Sequence, residues 1–210
     1  MKKTFLFVLL SLCLCCFLLG CNNDGYESRI TDLRTDIFIA ESDDFTLTAY
    51  MGRRETPFSA DGMVGNVQNV MLIKLQTAVI AARQVMIDYD GKQYVADFTT
   101  HPTSHHLSAV IAFPPTQAET LNAKVVVGET AIDVTLQKIT PADAISYRKA
   151  LSIAAKSFST AENGEFHVRL ICENQNFYWF CAVARENGSE AVLLSATDGK
   201  IIAKKTFPSK

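Results

Sequence analysis

Alternation of polar and apolar residues between positions 43 and 139 constrains the fold more than any other feature of the chain. Apolar side chains recur there at every second position, and many are β-branched, which is typical of strands with one buried face. Asp90-Gly91 and Gly128-Glu129 are hairpin-turn signals within this stretch. Seven strands are predicted, at residues 45–50, 70–75, 85–89, 93–98, 107–113, 124–127 and 130–136. Their number and spacing predict an antiparallel, Ig-like β-sandwich over residues 43–139.

The stretch before these strands, residues 21–42, has a different periodicity. Its apolar residues follow helical spacing, at Ile30, Leu33, Ile37 and Phe38. The other face of such a helix carries charged residues, namely Glu27, Arg29, Asp32, Arg34 and Asp36. We expect a tether over residues 22–25 and an amphipathic helix over residues 26–40. Since its polar face is not rich in lysine and arginine, this helix is expected to dock on its own domain and not on a membrane.

A second unit is predicted after a boundary at residues 140–143. Thr140 or Asp143 is expected to cap an amphipathic helix over residues 144–157, with Pro141 near its first turn. Three strands are predicted at residues 166–172, 177–184 and 191–195, with turns at 174–175, 187–188 and 198–199. Residues 140–210 are therefore expected to form a small α+β domain. The whole chain is predicted to be α+β and mostly β.

The N-terminus has the layout of an export signal. Lys2 and Lys3 precede an apolar run over residues 4–20, which is shorter than a membrane-spanning helix needs to be. The run ends in Leu18-Leu19-Gly20-Cys21, which resembles the bacterial lipobox. The resemblance implies that residues 1–20 are removed and that Cys21 receives a diacylglycerol thioether and fatty acyl chains such as palmitate. Such chains would hold the protein on the extracytoplasmic face of the cell membrane.

Charge and motif content narrow the function classes. The 210 residues carry a formal charge of −2, and removal of Lys2 and Lys3 makes the mature chain more acidic, which argues against nucleic-acid binding. The sequence contains no nucleophile elbow, glycine-rich phosphate loop, paired-cysteine metal motif or zinc-protease motif. We therefore expect a non-catalytic protein without a cofactor or a metal.

Two family resemblances add to this interpretation. The C-terminal 70 residues resemble a PepSY-type module in the segments 141–144, 150–154, 177–183 and 191–202, which includes Asp198-Gly199-Lys200. That resemblance implies a protein that binds or restrains a peptidase. The mature chain also resembles lipoproteins of Gram-positive, clostridia-like bacteria through residues 30–38, through residues 52–58 with Asp61-Gly62, and through the C-terminal segment. The second resemblance implies no activity.

The candidate binding residues are Arg53, Arg54, Glu55 and Asp61, because they form the densest polar segment of the chain. Its glycines, Gly52 and Gly62, indicate tight backbone turns. The arginines could bind a carboxylate or phosphate in bidentate fashion, or they could form ion pairs that only fix the loop. The expected partner is an envelope protein or peptide, recognised through a strand edge or a sheet face. The alternatives are a solute-binding lipoprotein of a transporter and, third, an envelope hydrolase.

Histidines and cysteines are expected to play structural or solvated roles. His101, His105 and His106 fall in a loop near Asp97, where solvated side chains are favoured over a metal site. Cys172 and Cys181 are the cysteines of the mature fold besides Cys21. A hairpin turn at residues 174–175 pairs Cys172 with residue 177 or 178, too far from Cys181 for a disulfide. Two buried thiols are therefore predicted. Alternation also sends Trp179 to one face of its strand and its aromatic neighbours to the other, and at least one of these faces is expected to pack against the helix.

Overall fold

The computed structural model describes residues 24–59, 63–77, 82–100, 106–159, 161 and 163–208. Cys21, Asp61, Gly62, His101 and His105 lie outside these residues, as does the short stretch 78–81. The described helices are α1 (Asp24–Glu27) and α2 (Tyr147–Ser157). The described strands are β1 (Ile30–Glu41), β2 (Phe45–Glu55), β3 (Val67–Thr77), β4 (Ala82–Tyr89), β5 (Lys92–Asp97), β6 (Thr99–Thr100), β7 (Leu107–Ala112), β8 (Thr120–Val127), β9 (Thr130–Lys138), β10 (Glu165–Glu173), β11 (Asn176–Arg185), β12 (Gly188–Ser195) and β13 (Ile201–Pro208).

The prediction of an amphipathic helix over residues 26–40 is wrong, because most of this segment forms the strand β1. Strand β1 pairs along one side with β2. Its other side pairs in parallel with β10 near its start and antiparallel with β9 near its end. The apolar residues that suggested a helix therefore serve two different cores: Leu33 and Ile37 pack in one, and Phe38 packs in the other. Because β1 pairs with other strands on both sides, a segment whose apolar residues have helix-like spacing folds as a strand.

Strands β1 to β9 enclose the first core. The ladder runs from β1 through β2, β3 and β7 to β6, and from β1 through β9, β8 and β4 to β5. Strands β5 and β6 are the two ends of this ladder and are joined along the chain through Phe98, so strand pairing and this chain connection together close a ring. The described strands make one connected sheet, and the two separate sheets of an Ig-like sandwich are not confirmed. The predicted strands over residues 43–139 are all present, together with the short β6.

The second core lies between α2 and one face of the antiparallel strands β10 to β12. Residues Phe166, Val168 and Leu170 alternate along β10 towards the helix, and α2 contributes Ala150, Leu151 and Ala154. Trp179 is buried there and donates a hydrogen bond from Nε1 to the Ile145 carbonyl oxygen (3.0 Å). Because β1 pairs with β10, this sheet is continuous with the ring of strands.

The turns at residues 90–91 and 174–175 lie where they were predicted, whereas the turn predicted at residues 187–188 falls at residues 186–187, and helix α2 begins at Tyr147 and not at residue 144. Asp90 and Gly91 have φ of 51° and 69°, and Asn174 and Gln175 have φ of 49° and 64°, as two-residue hairpin turns require. Helix α2 is capped by Ser146, whose side chain accepts from the Lys149 N–H, and not by Thr140 or Asp143. The Thr140 hydroxyl instead accepts a hydrogen bond from the Ile37 N–H (2.9 Å), which attaches the segment between β9 and α2 to β1.

The two cysteines of the fold are free thiols in different surroundings. Cys172 pairs across the hairpin with Phe177, and Cys181 pairs with Val168, as the predicted turn requires. Cys181 is fully buried, and its burial raises the pKa of its thiol to about 12. Cys172 is exposed at the end of β10, so the prediction of two buried thiols is wrong for this residue.

Candidate functional site

A buried carboxylate surrounded by arginines marks the middle of the sheet. Asp32 on β1 is completely buried. Its Oδ2 accepts hydrogen bonds from Arg169 Nε on β10 (2.8 Å) and from Arg34 Nη2 on β1 (3.0 Å). Asp32 and Arg34 are two residues apart on one strand, so strand alternation places both on the sheet face opposite α2. These contacts join the two strands through their side chains.

Register brings a third arginine and a histidine to the same place. Asp32 lies between Arg54 on β2 and His167 on β10, and Arg34 lies between Gly52 and Arg169. We call Asp32, Arg34, Arg54 and Arg169 the arginine cluster. Arg54 Nε is buried and has no hydrogen-bond partner among the described residues. An unsatisfied buried donor costs about 1–3 kcal/mol, so it indicates a position where a ligand acceptor would be stabilised.

Each guanidinium of the cluster rests on an aromatic ring. Arg34 lies 5.5 Å from the Tyr50 ring centroid, and Arg169 lies 5.9 Å from that of Phe180. Arg54 is stacked on Phe58 at 4.1 Å. Stacking on a guanidinium face leaves its N–H edge available for hydrogen bonds and restricts the side chain to few rotamers.

Charge in the cluster is strongly positive. Burial alone would raise the pKa of Asp32, but the charges of Arg34 and Arg169 outweigh it and hold that pKa below its ordinary value. Burial lowers the pKa values of Arg54 and Arg169 below their ordinary range, but guanidinium groups stay protonated in proteins. Burial and the Arg169 charge lower the pKa of His167 to about 4, so its imidazole is neutral at pH 7.

Two open grooves flank the cluster. The first groove, about 480 Å³, is lined by Arg34, Arg54, Tyr50, Leu72, Lys74, His106 and Val110, among others. The second groove, about 530 Å³, is lined by Arg169, His167, Phe180, Ala182, Ala191 and Phe207, among others. Val110 and Phe207 are among the exposed large apolar side chains of the protein. A ligand bound at the arginines would therefore have shallow, partly apolar surface on both sides.

The candidate binding residues from the sequence are not brought together as one site. Arg54 belongs to the cluster, but Arg53 alternates to the other side of β2 and donates to the Glu27 carbonyl oxygen (3.5 Å). Glu55 is buried and accepts a hydrogen bond from the Gly65 N–H, which is a structural role. Asp61 lies outside the described residues. Gly52 is not in a turn but inside β2, where its Cα faces the Leu33 carbonyl oxygen of β1.

Three residues of the arginine cluster were not predicted as site residues from the sequence. Asp32 and Arg34 were assigned to the polar face of the helix predicted over residues 26–40, which is a strand in the structure. Arg169 was placed in a predicted strand and given no functional role. A signal was present, because Asp32-x-Arg34 and His167-x-Arg169 each place two polar residues at strand period, the second pair among apolar neighbours. The parallel pairing of β1 with β10, more than 130 residues apart, had no such local signal.

The described residues contain neither a cluster of metal ligands nor a helix that could span a membrane. In the described parts of the chain, no group of three or more His, Cys, Asp or Glu side chains is placed to hold a metal ion. Of the three loop histidines, His106 is described and lines the first groove. Among the described residues no helix is both long and apolar enough to cross a membrane.

Comparisons with known proteins give little further guidance. No protein-family model matches the chain, and no curated protein matches it. A solved structure with some similarity is that of a predicted lipoprotein from Clostridium difficile 630, with 9% sequence identity and a TM-score of 0.27. The similarity covers 60% of this chain and 83% of that one. A TM-score this low does not establish a shared fold.

Proposed function

We propose that this chain is a non-catalytic, lipid-anchored binding protein of the extracytoplasmic membrane face that recognises an anionic group at the arginine cluster. The observation that carries the proposal is an excess of buried positive charge. Three guanidinium groups surround the Asp32 carboxylate, and Arg54 Nε has no acceptor among the described residues. A structural ion pair needs one arginine for one carboxylate, so the additional guanidinium groups favour a ligand.

The membrane anchor is proposed from the N-terminal sequence. Cys21 follows a lipobox-like Leu18-Leu19-Gly20 at the end of an export signal. Two or three acyl chains hold a protein on a bilayer almost permanently, because each buried methylene contributes about 0.8 kcal/mol. We expect the Cys21→Ser variant to leave the membrane fraction. Retention of this variant in the membrane would contradict the lipid anchor.

The shape of the site favours face recognition over a closed pocket. Both grooves are open to solvent and continue across the sheet from the cluster. An extended ligand, such as a segment of an envelope protein or a solute with an anionic group, could lie across this face with its charge at the arginines. Recognition by a sheet face was one of the two modes expected from the sequence.

Thermal denaturation of the full chain in a non-ionic detergent tests anion recognition, with sulfate as the probe. A ligand that binds only the folded state raises the melting temperature as its concentration increases. We expect sulfate to raise it more than chloride at equal ionic strength. The Arg54→Gln and Arg169→Gln variants should lose this shift, and Arg83→Gln, an exposed arginine on β4, should keep it. Equal shifts in all four proteins would overturn the proposal.

A second mode is favoured by strand β13. It is exposed along its whole length, and in the described sheet it pairs on one side only, with β12. A free strand edge accepts an extended peptide by main-chain hydrogen bonds, which would fit the peptidase binding implied by the PepSY resemblance. Hydrogen exchange of the β13 amides in envelope extract tests this mode. Slower exchange that persists in Arg54→Gln would support edge pairing, and unchanged exchange would count against it.

A further inference from the structure

We infer that helix α2 lies on the membrane surface, where the lysines of its exposed face contact anionic phospholipid headgroups. The inference rests on the lipid anchor proposed at Cys21 and is independent of anion recognition at the arginine cluster. It follows from the charge of α2, from the short connection between Cys21 and the fold, and from the contacts that hold α1 against α2.

The exposed face of α2 is basic. The residues that α2 buries against the second core are Ala150, Leu151, Ala154 and Ala155. Lys149 and Lys156 are exposed, and their positions in the helical repeat place both on the opposite side of the helix. They lie about two helical turns apart, which is about 10 Å along the helix axis. Two lysines therefore project from one line along the solvent side of α2.

The charge of α2 contrasts with that of the chain as a whole. Its 11 residues include Arg148, Lys149 and Lys156 but no acidic residue, whereas acidic residues outnumber basic ones in the full sequence. The exposed Asp143 and Asp198 lie outside the helix, one before its start and one in the turn before β13. A basic face on an acidic protein indicates an anionic partner, and anionic lipids attract lysine side chains near a bilayer.

The proposed anchor keeps the start of α2 close to the bilayer. Three peptide units connect Cys21 with Asp24, where α1 begins, and such a connection spans at most about 11 Å. Helix α1 is attached in turn to the first turn of α2. Glu27 Oε1 accepts a hydrogen bond from Arg148 Nε (2.8 Å), and Glu27 Oε2 accepts one from the Tyr147 hydroxyl (3.3 Å). The anchor thus favours α2 as the element that meets the headgroups.

Apolar side chains lie beside the two lysines. Ile153 is partly buried on the flank of α2 next to Gly199, whose Cβ position is 2.7 Å from Ile153 Cδ1. Ile201 follows this turn and is 44% exposed. It pairs with Leu194 of the second core, so it projects from the sheet face that α2 covers. Surfaces that combine lysines with apolar side chains bind at the headgroup boundary through both charge and buried area.

Docking of α2 determines which way the arginine cluster faces. Asp32 and Arg34 lie on the sheet face opposite α2, and Arg169 reaches Asp32 on that face. A bilayer in contact with α2 is therefore on the other side of the sheet from the cluster. The cluster and its two flanking grooves would be open to the envelope and not to the lipid.

Lysine acetylation of the full chain reconstituted in vesicles tests the inference. Phosphatidylcholine vesicles are compared with vesicles that also contain phosphatidylglycerol, and mass spectrometry measures the labelling of each lysine. Attraction of one lysine to an anionic surface corresponds to about fivefold in partitioning. Phosphatidylglycerol should lower the labelling of Lys149 and Lys156 by at least about that factor. The control Lys92, an exposed lysine on β5, should change by less than about twofold.

Two double variants test whether the lysine charges are responsible, with Lys200 as the reporter. Lys200 follows Gly199 beside α2, so docking should protect it in the same vesicles. Lys149→Gln with Lys156→Gln should abolish this protection, whereas Lys149→Arg with Lys156→Arg should retain it. Both positions are exposed, so neither pair should change the melting temperature. The same protection of Lys200 in both variants would overturn the role assigned to these charges.

Flotation of the vesicles separates the inference from the anchor on which it rests. If the chain floats with both kinds of vesicle and the labelling of Lys149 and Lys156 is equal in both, the anchor stands and docking of α2 is overturned. If the chain floats with neither, both are overturned. Flotation only with phosphatidylglycerol would contradict the anchor, and protection of the two lysines there would still support docking.

Discussion

At the residue scale, the buried Asp32 carboxylate holds the centre of the sheet together. It receives hydrogen bonds from Arg34 on its own strand and from Arg169 on β10, where β1 and β10 run in parallel. A buried carboxylate of this kind is costly to desolvate, but its arginine partners compensate for that cost. The neighbouring Arg54 differs from these two arginines, because it forms no ion pair with a carboxylate within the described part of the chain and so adds positive charge.

Removal of Asp32 and removal of Arg54 should therefore affect folding stability differently. Asp32→Asn leaves three guanidinium groups without a counter-charge, and we expect it to lower the free energy of unfolding by about 3–5 kcal/mol. Arg54→Gln removes part of the excess charge and should change it by less than about 1 kcal/mol. Urea denaturation in chloride buffer measures both. A loss from Arg54→Gln as large as that from Asp32→Asn would show that Arg54 is structural.

His167 should make the protein less stable as the pH falls below neutrality. Its pKa is lowered from 6.5 to about 4, so the unfolded chain binds a proton at this residue more readily than the folded chain. Stability is therefore retained above pH 6.5 and falls as the pH drops from 6.5 towards 4. Urea midpoints at pH 7.0 and pH 4.5 should differ less in His167→Gln than in the unaltered protein. An unchanged difference would mean that other groups cause the acid sensitivity.

At the element scale, β1 is decisive because it pairs with β2, β9 and β10. Its register with β2 shifts between Arg34 and Asp36, opposite Gly52. A Cβ atom at Gly52 would lie 1.8 Å from the Leu33 carbonyl oxygen. The absence of a side chain therefore allows the close approach of the two strands beside the arginine cluster.

Gly52→Ala should disturb this strand pairing. Because the clash is with backbone, which cannot rotate away, we expect a loss of about 1–3 kcal/mol or more in unfolding free energy. Gly25→Ala is the matched control, since a Cβ at Gly25 meets no atom within 4 Å. Thermal melts of the two variants measure the difference. Equal melting temperatures would show that β1 can move away from β2 at little cost.

At the scale of the whole molecule, two cores share one strand. Ile30, Leu33 and Ile37 of β1 pack with α2 and β10 to β12, whereas Phe38 and Ala40 pack inside the ring of strands. The sequence predicts a domain boundary at residues 140–143. Since β1 is common to both cores, we expect the two parts to unfold together and not as separate domains.

Trp179 provides the measurement, because it is the single tryptophan of the chain and lies in the second core. Leu47→Ala removes a fully buried side chain from the first core and should cost about 2–5 kcal/mol. We expect it to shift the Trp179 fluorescence transition to lower urea concentration. Val95→Ala, at a 46% exposed position on β5, should leave the transition unchanged. A normal Trp179 transition in Leu47→Ala would indicate two independent domains.

Local signals explain which elements could be predicted. Positive-φ turns such as Asp90-Gly91 and the alternating segments that they join depend on neighbouring residues alone, so the hairpins β4–β5 and β10–β11 followed from the sequence. Helix α2 followed from its apolar stripe, although Ser146 caps it and not Thr140. Of the predicted site residues that the structure describes, Arg54 is the one that belongs to the arginine cluster.

The sequence by itself determined the strand-rich character of residues 43–139, the hairpin turns, helix α2 and the lipobox-like export signal, because short-range periodicity and turn chemistry specify these features. Only the tertiary structure decided that residues 30–41 form a strand, that the strands close into a ring, and that Arg34, Arg54 and Arg169 meet at Asp32. These features depend on pairing between segments far apart in the chain. Such pairing is favourable because it buries the apolar residues of both cores together. A local sequence pattern contains no information on which distant segments pair.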